Sequence, residues 1–116
     1  MTRQWSATMI APDADFAGAP LLRREVTLDP GHGDVTAATL HVTSCGIHDA
    51  FVGGRPVSEE LFSPGWSSYE WRMRYRSHDV TALVRDQFVV GLALGNGWFR
   101  GRLGWGGRRA LYGVEL

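Results

Sequence analysis

Histidine, cysteine, serine and paired carboxylates are the side chains that could carry chemistry in this chain of 116 residues, and their spacing assembles none of the common active sites. His32, His41, His48 and His78 fall in unrelated settings without zinc-finger spacing, and the single Cys45 can supply neither a zinc ribbon nor an intrachain disulfide. In "HVTSCGI" that thiol reads as a buried strand residue rather than a nucleophile. Glu59 and Glu60 are adjacent, so on any extended segment they point to opposite sides and cannot flank a glycosidic bond. "SPGWSSY" lacks a nucleophile elbow, and nothing ties Ser63, Ser67 or Ser68 to a histidine. "GNGWFRG" follows a strand without opening a helix and has no lysine, which argues against a phosphate loop. The chain alone is expected to catalyse nothing.

Aromatic residues remain. Trp66, Tyr69, Trp71, Tyr75, Trp98, Phe99 and Trp105 all lie in the second half, several beside glycines and polar turns. An exposed indole can stack on the C–H face of a sugar while Asn, Asp or Arg bind its hydroxyls. The competing reading is that these rings fill a thin core. In "LGNGWFRGRLGWGG" the glycines let the backbone leave a core strand in a sharp loop. Trp98 is expected to anchor that loop, leaving Trp105 and the arginines free to touch a partner.

The elements that must position these residues are strands. "LLRREVTL" (21–28) and "VTAATLHVTS" (35–44) show partial alternation with β-branched residues, separated by "DPGHGD", and read as two neighbouring strands. Gly53-Gly54 suits a two-residue hairpin turn, and Pro56 keeps the return strand at a sheet edge. "YEWRMRYRS" (69–77) alternates, which predicts Tyr69, Trp71, Met73 and Tyr75 on a packed face and Glu70, Arg72, Arg74 and Arg76 on a wet one. Asp79 could cap a short helical turn in "HDVTALV". "FVVGLALG" resumes as a strand, and "LYGVEL" begins another at which the sequence stops, as expected of a sandwich truncated at its C-terminal end. Short strands with Gly and Pro turns between them predict an all-β antiparallel sandwich.

With 44% apolar residues the chain forms at most one domain. Its 12 basic and 12 acidic residues cancel without long blocks of either sign, which implies neither nucleic acid nor an acidic membrane as partner. No apolar run approaches membrane-spanning length, and the N-terminus lacks the pattern of a secretion signal, so a cytoplasmic location is expected unless a signal was removed.

In this order and spacing, "PGW" plus Tyr at 64–69, "DVT" at 79–81 and "LGNGWF" at 94–99 resemble the N-terminal β-sandwich domain of bacterial α-L-rhamnosidases, over nearly the whole chain from Trp5 onward. The hairpin departs from the family's Asn-Gly by having Gly53-Gly54. The resemblance implies a jelly-roll, galactose-binding-like architecture over residues 1–116, as a single accessory domain of a larger enzyme. It also implies a downstream catalytic domain as neighbour and L-rhamnose-containing glycosides as ligands. Some domains of this family bind L-rhamnose through calcium. The corresponding positions here are His48, Asp49 and Asn96, with Trp71 or Trp98 as the stacking ring. Asp49 and Asn96 are then candidate hydroxyl or calcium ligands, whereas His48 departs from the oxygen donors that a hard cation prefers. Three roles are open on this reading: a carbohydrate-recognition domain of a rhamnosidase, a structural domain bracing its catalytic barrel, or, by fold analogy, a lectin-like domain unconnected with hydrolysis.

Overall fold

The computed structural model describes residues 4–13, 18–69 and 71–99, and the backbone of 112–115. Its strands are β1 (Met9–Ile10), β2 (Leu21–Thr27), β3 (Thr39–Ser44), β4 (Ile47–Val52), β5 (Arg55–Pro56), β6 (Tyr75–Asp79), β7 (Gln87–Gly95) and β8 (Tyr112–Glu115). They pair antiparallel in two four-stranded sheets, β1-β8-β3-β6 and β2-β7-β4-β5. This strand order is that of a jelly roll, and the expected antiparallel sandwich is what forms. Among the described residues no helix is long and apolar enough to cross a membrane.

Alternation puts one face of each sheet inside. Leu40 and Val42 of β3 meet Ala50 and Val52 of β4 and Val90, Leu92 and Leu94 of β7, with Val80 beside them. Leu40, Val42 and Val52 are almost fully buried, each contributing about 1.5–3 kcal/mol relative to exposure. Gly53 and Gly54 take φ of +60° and +78°, both left-handed as the hairpin turn demands, and β5 with Pro56 is the edge strand.

Three expectations are corrected. The strands at 21–28 and 35–44 are not neighbours: β2 pairs with β7 in one sheet, and β3 pairs with β6 and β8 in the other. The second also starts later, at Thr39, because residues 35–38 make the passage between sheets. The third concerns 69–77, where a turn formed by the N–H groups of Trp71 and Arg72 donating to the Ser68 carbonyl delays the strand until Tyr75. At Tyr75 and Arg76 the faces are also the reverse of those expected, since register with β3 sets Arg76 opposite buried Val42 and His78 opposite buried Leu40. Arg76 and His78 therefore face inward, and Tyr75 faces out.

The "DVT" stretch is structural. Asp79 Oδ1 accepts from the Thr81 N–H (3.0 Å) and hydroxyl (2.6 Å) at the start of a one-turn 3-10 helix, Thr81–Leu83. Thr81 Oγ1 in turn accepts from the Ala38 N–H at 2.9 Å, tying the entry of β3 to the exit of β6, while Val80 fills the core. Thr81→Val keeps the shape and removes the hydroxyl, leaving the Ala38 N–H without its partner. A loss of about 1–2 kcal/mol of stability is expected from a urea unfolding curve.

Candidate functional site

The sequence-derived candidates sit around the end of the sheet where β4 begins and β7 ends. Asp49 pairs with Ala93 on the outer face and is exposed, and Ile47 pairs with Gly95. Beyond Gly95 the chain turns sharply against Ile47, so Asn96 and Trp98 are exposed. The Trp98 ring is 57% exposed and meets Phe62 edge to face, with centroids 6.4 Å apart. Trp98 is not the loop's anchor. The next residue, Phe99, points back against the core and meets Tyr69 at 5.2 Å, also edge to face. Trp71 is 88% exposed but stands in the separate turn after Ser68. Trp105 and the arginines at 100 and 102 lie outside the described residues.

Asp49, Asn96 and Trp98 thus share one region of the surface, and Trp71 occupies another. The register leaves two strand steps, about 7 Å at roughly 3.3 Å per residue, between Ala93, opposite Asp49, and Gly95, and Asn96 lies past the strand's end. A calcium ion requires six to eight oxygens within about 2.3–2.6 Å, which these two side chains do not gather. Nor do the described residues bring together three or more His, Cys, Asp or Glu side chains that could hold a metal ion. As a pair they suit hydrogen bonding to separate hydroxyls of one ligand, with Trp98 and Phe62 supplying apolar surface.

A second group, which the reading of alternation missed, lies inside the sandwich at its β6 edge. His48 is 4% exposed and faces inward from β4. Its backbone N–H donates to the Ser63 carbonyl (2.7 Å), which seats the loop 57–63 along the edge of β4. His48 Nδ1 lies 2.8 Å from Ser44 Oγ, while Nε2 is buried with no hydrogen-bond partner. From that loop Glu60 Oε2 reaches Arg76 Nε at 3.0 Å and accepts from the Ser63 hydroxyl at 3.2 Å. Burial holds the His48 pKa down at about 4, helped by the nearby His78 and Arg76 and opposed by Glu60. Burial likewise lowers that of His78. His48, Glu60, Ser63 and His78 line a cavity of about 210 Å³ together with Asp49, Glu59, Ala50, Val57 and Leu61. Because Glu60 is engaged by Arg76, it is not a free acid or base. The inward spacing of Arg76 and His78, two residues apart, was the one trace of this cluster in the sequence.

Residues 33–116 match the family model of the α-L-rhamnosidase N-terminal domain. An α-L-rhamnosidase of Streptomyces avermitilis is 34% identical over 96 residues, which is 82% of this chain but 9% of that protein. One from Formosa agariphila is 37% identical over 73 residues, 62% of this chain and 8% of its own length. The crystal structure of native α-L-rhamnosidase from Aspergillus terreus superposes with a TM-score of 0.77 at 29% identity, covering 93% of this chain and 14% of that one. The S. avermitilis enzyme, solved in complex with L-rhamnose, gives a TM-score of 0.70 at 33% identity, covering 82% and 10%. The chain thus spans less than a tenth of the length of these two sequence relatives.

Proposed function

Since the chain belongs to the family of α-L-rhamnosidase N-terminal domains, we propose that it is a non-catalytic domain that assists recognition of L-rhamnosides for a catalytic domain elsewhere in the same polypeptide. The observation that carries this reading is the exposed Trp98–Phe62 aromatic pair, with Asn96 two residues from Trp98 and Asp49 exposed on the strand paired with β7. In this reading, a rhamnose unit lays its apolar C–H face and methyl group on the indole, while Asp49 accepts from a hydroxyl and Asn96 donates to or accepts from another. The site is shallow and open, which suits the end of a glycoside chain held loosely near a separate active site.

A second reading has its own support. Leu61, Phe62, Trp66 and Trp71 are 78%, 63%, 61% and 88% exposed, and such apolar surface suits contact with a neighbouring domain. On that reading the domain braces the catalytic barrel and binds no sugar.

Tryptophan fluorescence during titration with L-rhamnose separates the two. Recognition predicts a saturable change with affinity in the millimolar to micromolar range, about 4–8 kcal/mol. Trp98→Ala is expected to weaken binding at least tenfold, about 1.4 kcal/mol, and Asn96→Ala by a smaller factor. The absence of any change at tens of millimolar sugar would leave the bracing role in its place.

A further inference from the structure

We propose that residues 29–36 form a pH-dependent strap, clasped by protonated His32 to Asp86 and released when His32 loses its charge. Asp86 stands at the start of β7, the opposite end of that strand from Asn96 and Trp98. Two connections cross between the sheets here: residues 28–38 lead from β2 to β3, and residues 80–86 lead from β6 to β7. One clasp between them is neutral. Ala38 donates its N–H to Thr81 Oγ1 and accepts from the Val80 N–H, both at 2.9 Å.

The second clasp is ionic. The Leu28 N–H donates to the Asp86 carbonyl at 2.9 Å and fixes the start of the strap. Pro30 and Gly31, the latter at φ +79°, then make a turn in which the His32 N–H returns to the Asp29 carbonyl at 3.2 Å. This brings the imidazole back to Asp86, with Nε2 2.8 Å from Oδ1, while Nδ1 lies 2.6 Å from the Gly33 carbonyl oxygen. Among the described residues, His32 to Asp86 is the one side-chain tie between this exposed segment and the rest of the fold.

A carbonyl and an ionised carboxylate only accept, so both ring nitrogens must carry protons, and the imidazolium alone satisfies this geometry. A neutral ring keeps one N–H and turns a lone pair toward the other oxygen. One bond is then lost. The neighbouring charges favour the cation: the Gly33 carbonyl and Asp86 hold the His32 pKa above its ordinary value, and Asp29 adds to them. Asp34 lines the same depression, and Arg85 there is turned to the Ala82 and Val84 carbonyls at 2.9 Å. From β2, Arg24 and Glu25 reach the adjoining cavity as opposite charges. That cavity, of about 820 Å³, is lined by Val35 and Ala38 of the first connection and by Val26, Val84 and Phe88. Release of the strap therefore widens access to apolar surface between the sheets and leaves the neutral clasp in place.

Histidine Cε1–H titration, together with backbone amide order from nitrogen relaxation, tests the strap in the 116-residue chain. The His32 midpoint is expected above 6.5, outside the more acidic window in which His48 titrates. Amides of residues 31–36 should be ordered about one pH unit below that midpoint and mobile about one unit above it, while those of β2 and β7 stay unchanged. In Asp86→Ala, a substitution at an exposed side chain, the midpoint should fall toward 6.5 and the same amides should be mobile at both pH values. In His32→Gln the order of the segment should no longer depend on pH. A wild-type His32 midpoint at or below 6.5, or amide order that does not change across it, overturns the proposal. An Asp86→Ala protein that keeps the wild-type midpoint and order overturns it too, by placing the clasp elsewhere.

Discussion

Replacing Gly46 with alanine is expected to cost the sandwich about 3 kcal/mol or more, although the substitution adds one methyl group. A Cβ at position 46 would lie 2.1 Å from the carbonyl oxygen of Gly95 and 3.0 Å from that of Asn96. Overpacking costs about 1–3 kcal/mol where side chains can yield, but here the obstacles are backbone atoms of the strand that pairs with β4. Relief requires β7 to part from the start of β4, and the loop carrying Asn96 and Trp98 must move with it. The urea midpoint should therefore fall, and Trp98 emission in the native state should change at the same time. Gly33→Ala is the control, since a Cβ there meets nothing within 4 Å and its effect should stay near zero. A Gly46→Ala protein within 1 kcal/mol of wild type would mean that the two strands are not held this closely.

The same junction shows which parts of the molecule local sequence could specify. Gly53-Gly54 demanded a left-handed turn and formed one, Pro56 demanded an edge and received it, and Asp79 accepts from the Thr81 N–H beside the short turn, whose cap position is Val80. Each outcome depends on residues within a few positions of one another. Sheet membership does not: β2 and β3 are adjacent along the chain yet lie in opposite sheets, because their partners come from residues 75–79, 87–95 and 112–115.

Orientation of β6 failed for a related reason. Alternation identifies two faces, and the usual cost of burying a charge assigns arginine to water. That assignment reverses when another segment supplies a counter-charge at the sheet edge, as Glu60, sixteen residues upstream, does for the partly exposed Arg76. The exposed positions depended less on distant partners. Strand and turn chemistry close by put Asp49 and Asn96 at the surface, whereas that Phe99 rather than Trp98 enters the core depended on where Tyr69 came to rest.

Acidification should expose the cost of the interior cluster. In the unfolded chain His48 has its ordinary pKa of 6.5, whereas in the fold burial lowers it to about 4. The unfolded state therefore binds more protons between these values, and stability must fall as the pH falls through this window. His48's contribution is complete above about 6.5 and is lost by about 4, below which both states are protonated. At about 1.4 kcal/mol per pH unit the displacement corresponds to about 3 kcal/mol, an upper figure for a group that water can reach by local opening. His78, lowered by burial too, acts in the same direction, while exposed His32, raised by the Gly33 carbonyl and by Asp86, acts weakly in the other. The groups facing His48 explain why protonation is not rescued: Arg76 and His78 oppose the new charge, and the one nearby carboxylate that would favour it, Glu60, is committed to Arg76 and Ser63. Urea midpoints at pH 7.5, 6.0 and 4.5 should fall steadily, and His48→Gln, which keeps a polar group without a titrating one, should flatten most of the slope. A His48 resonance titrating near 6.5 in the folded chain, or wild-type and His48→Gln slopes that coincide, would place the acid sensitivity outside this cluster.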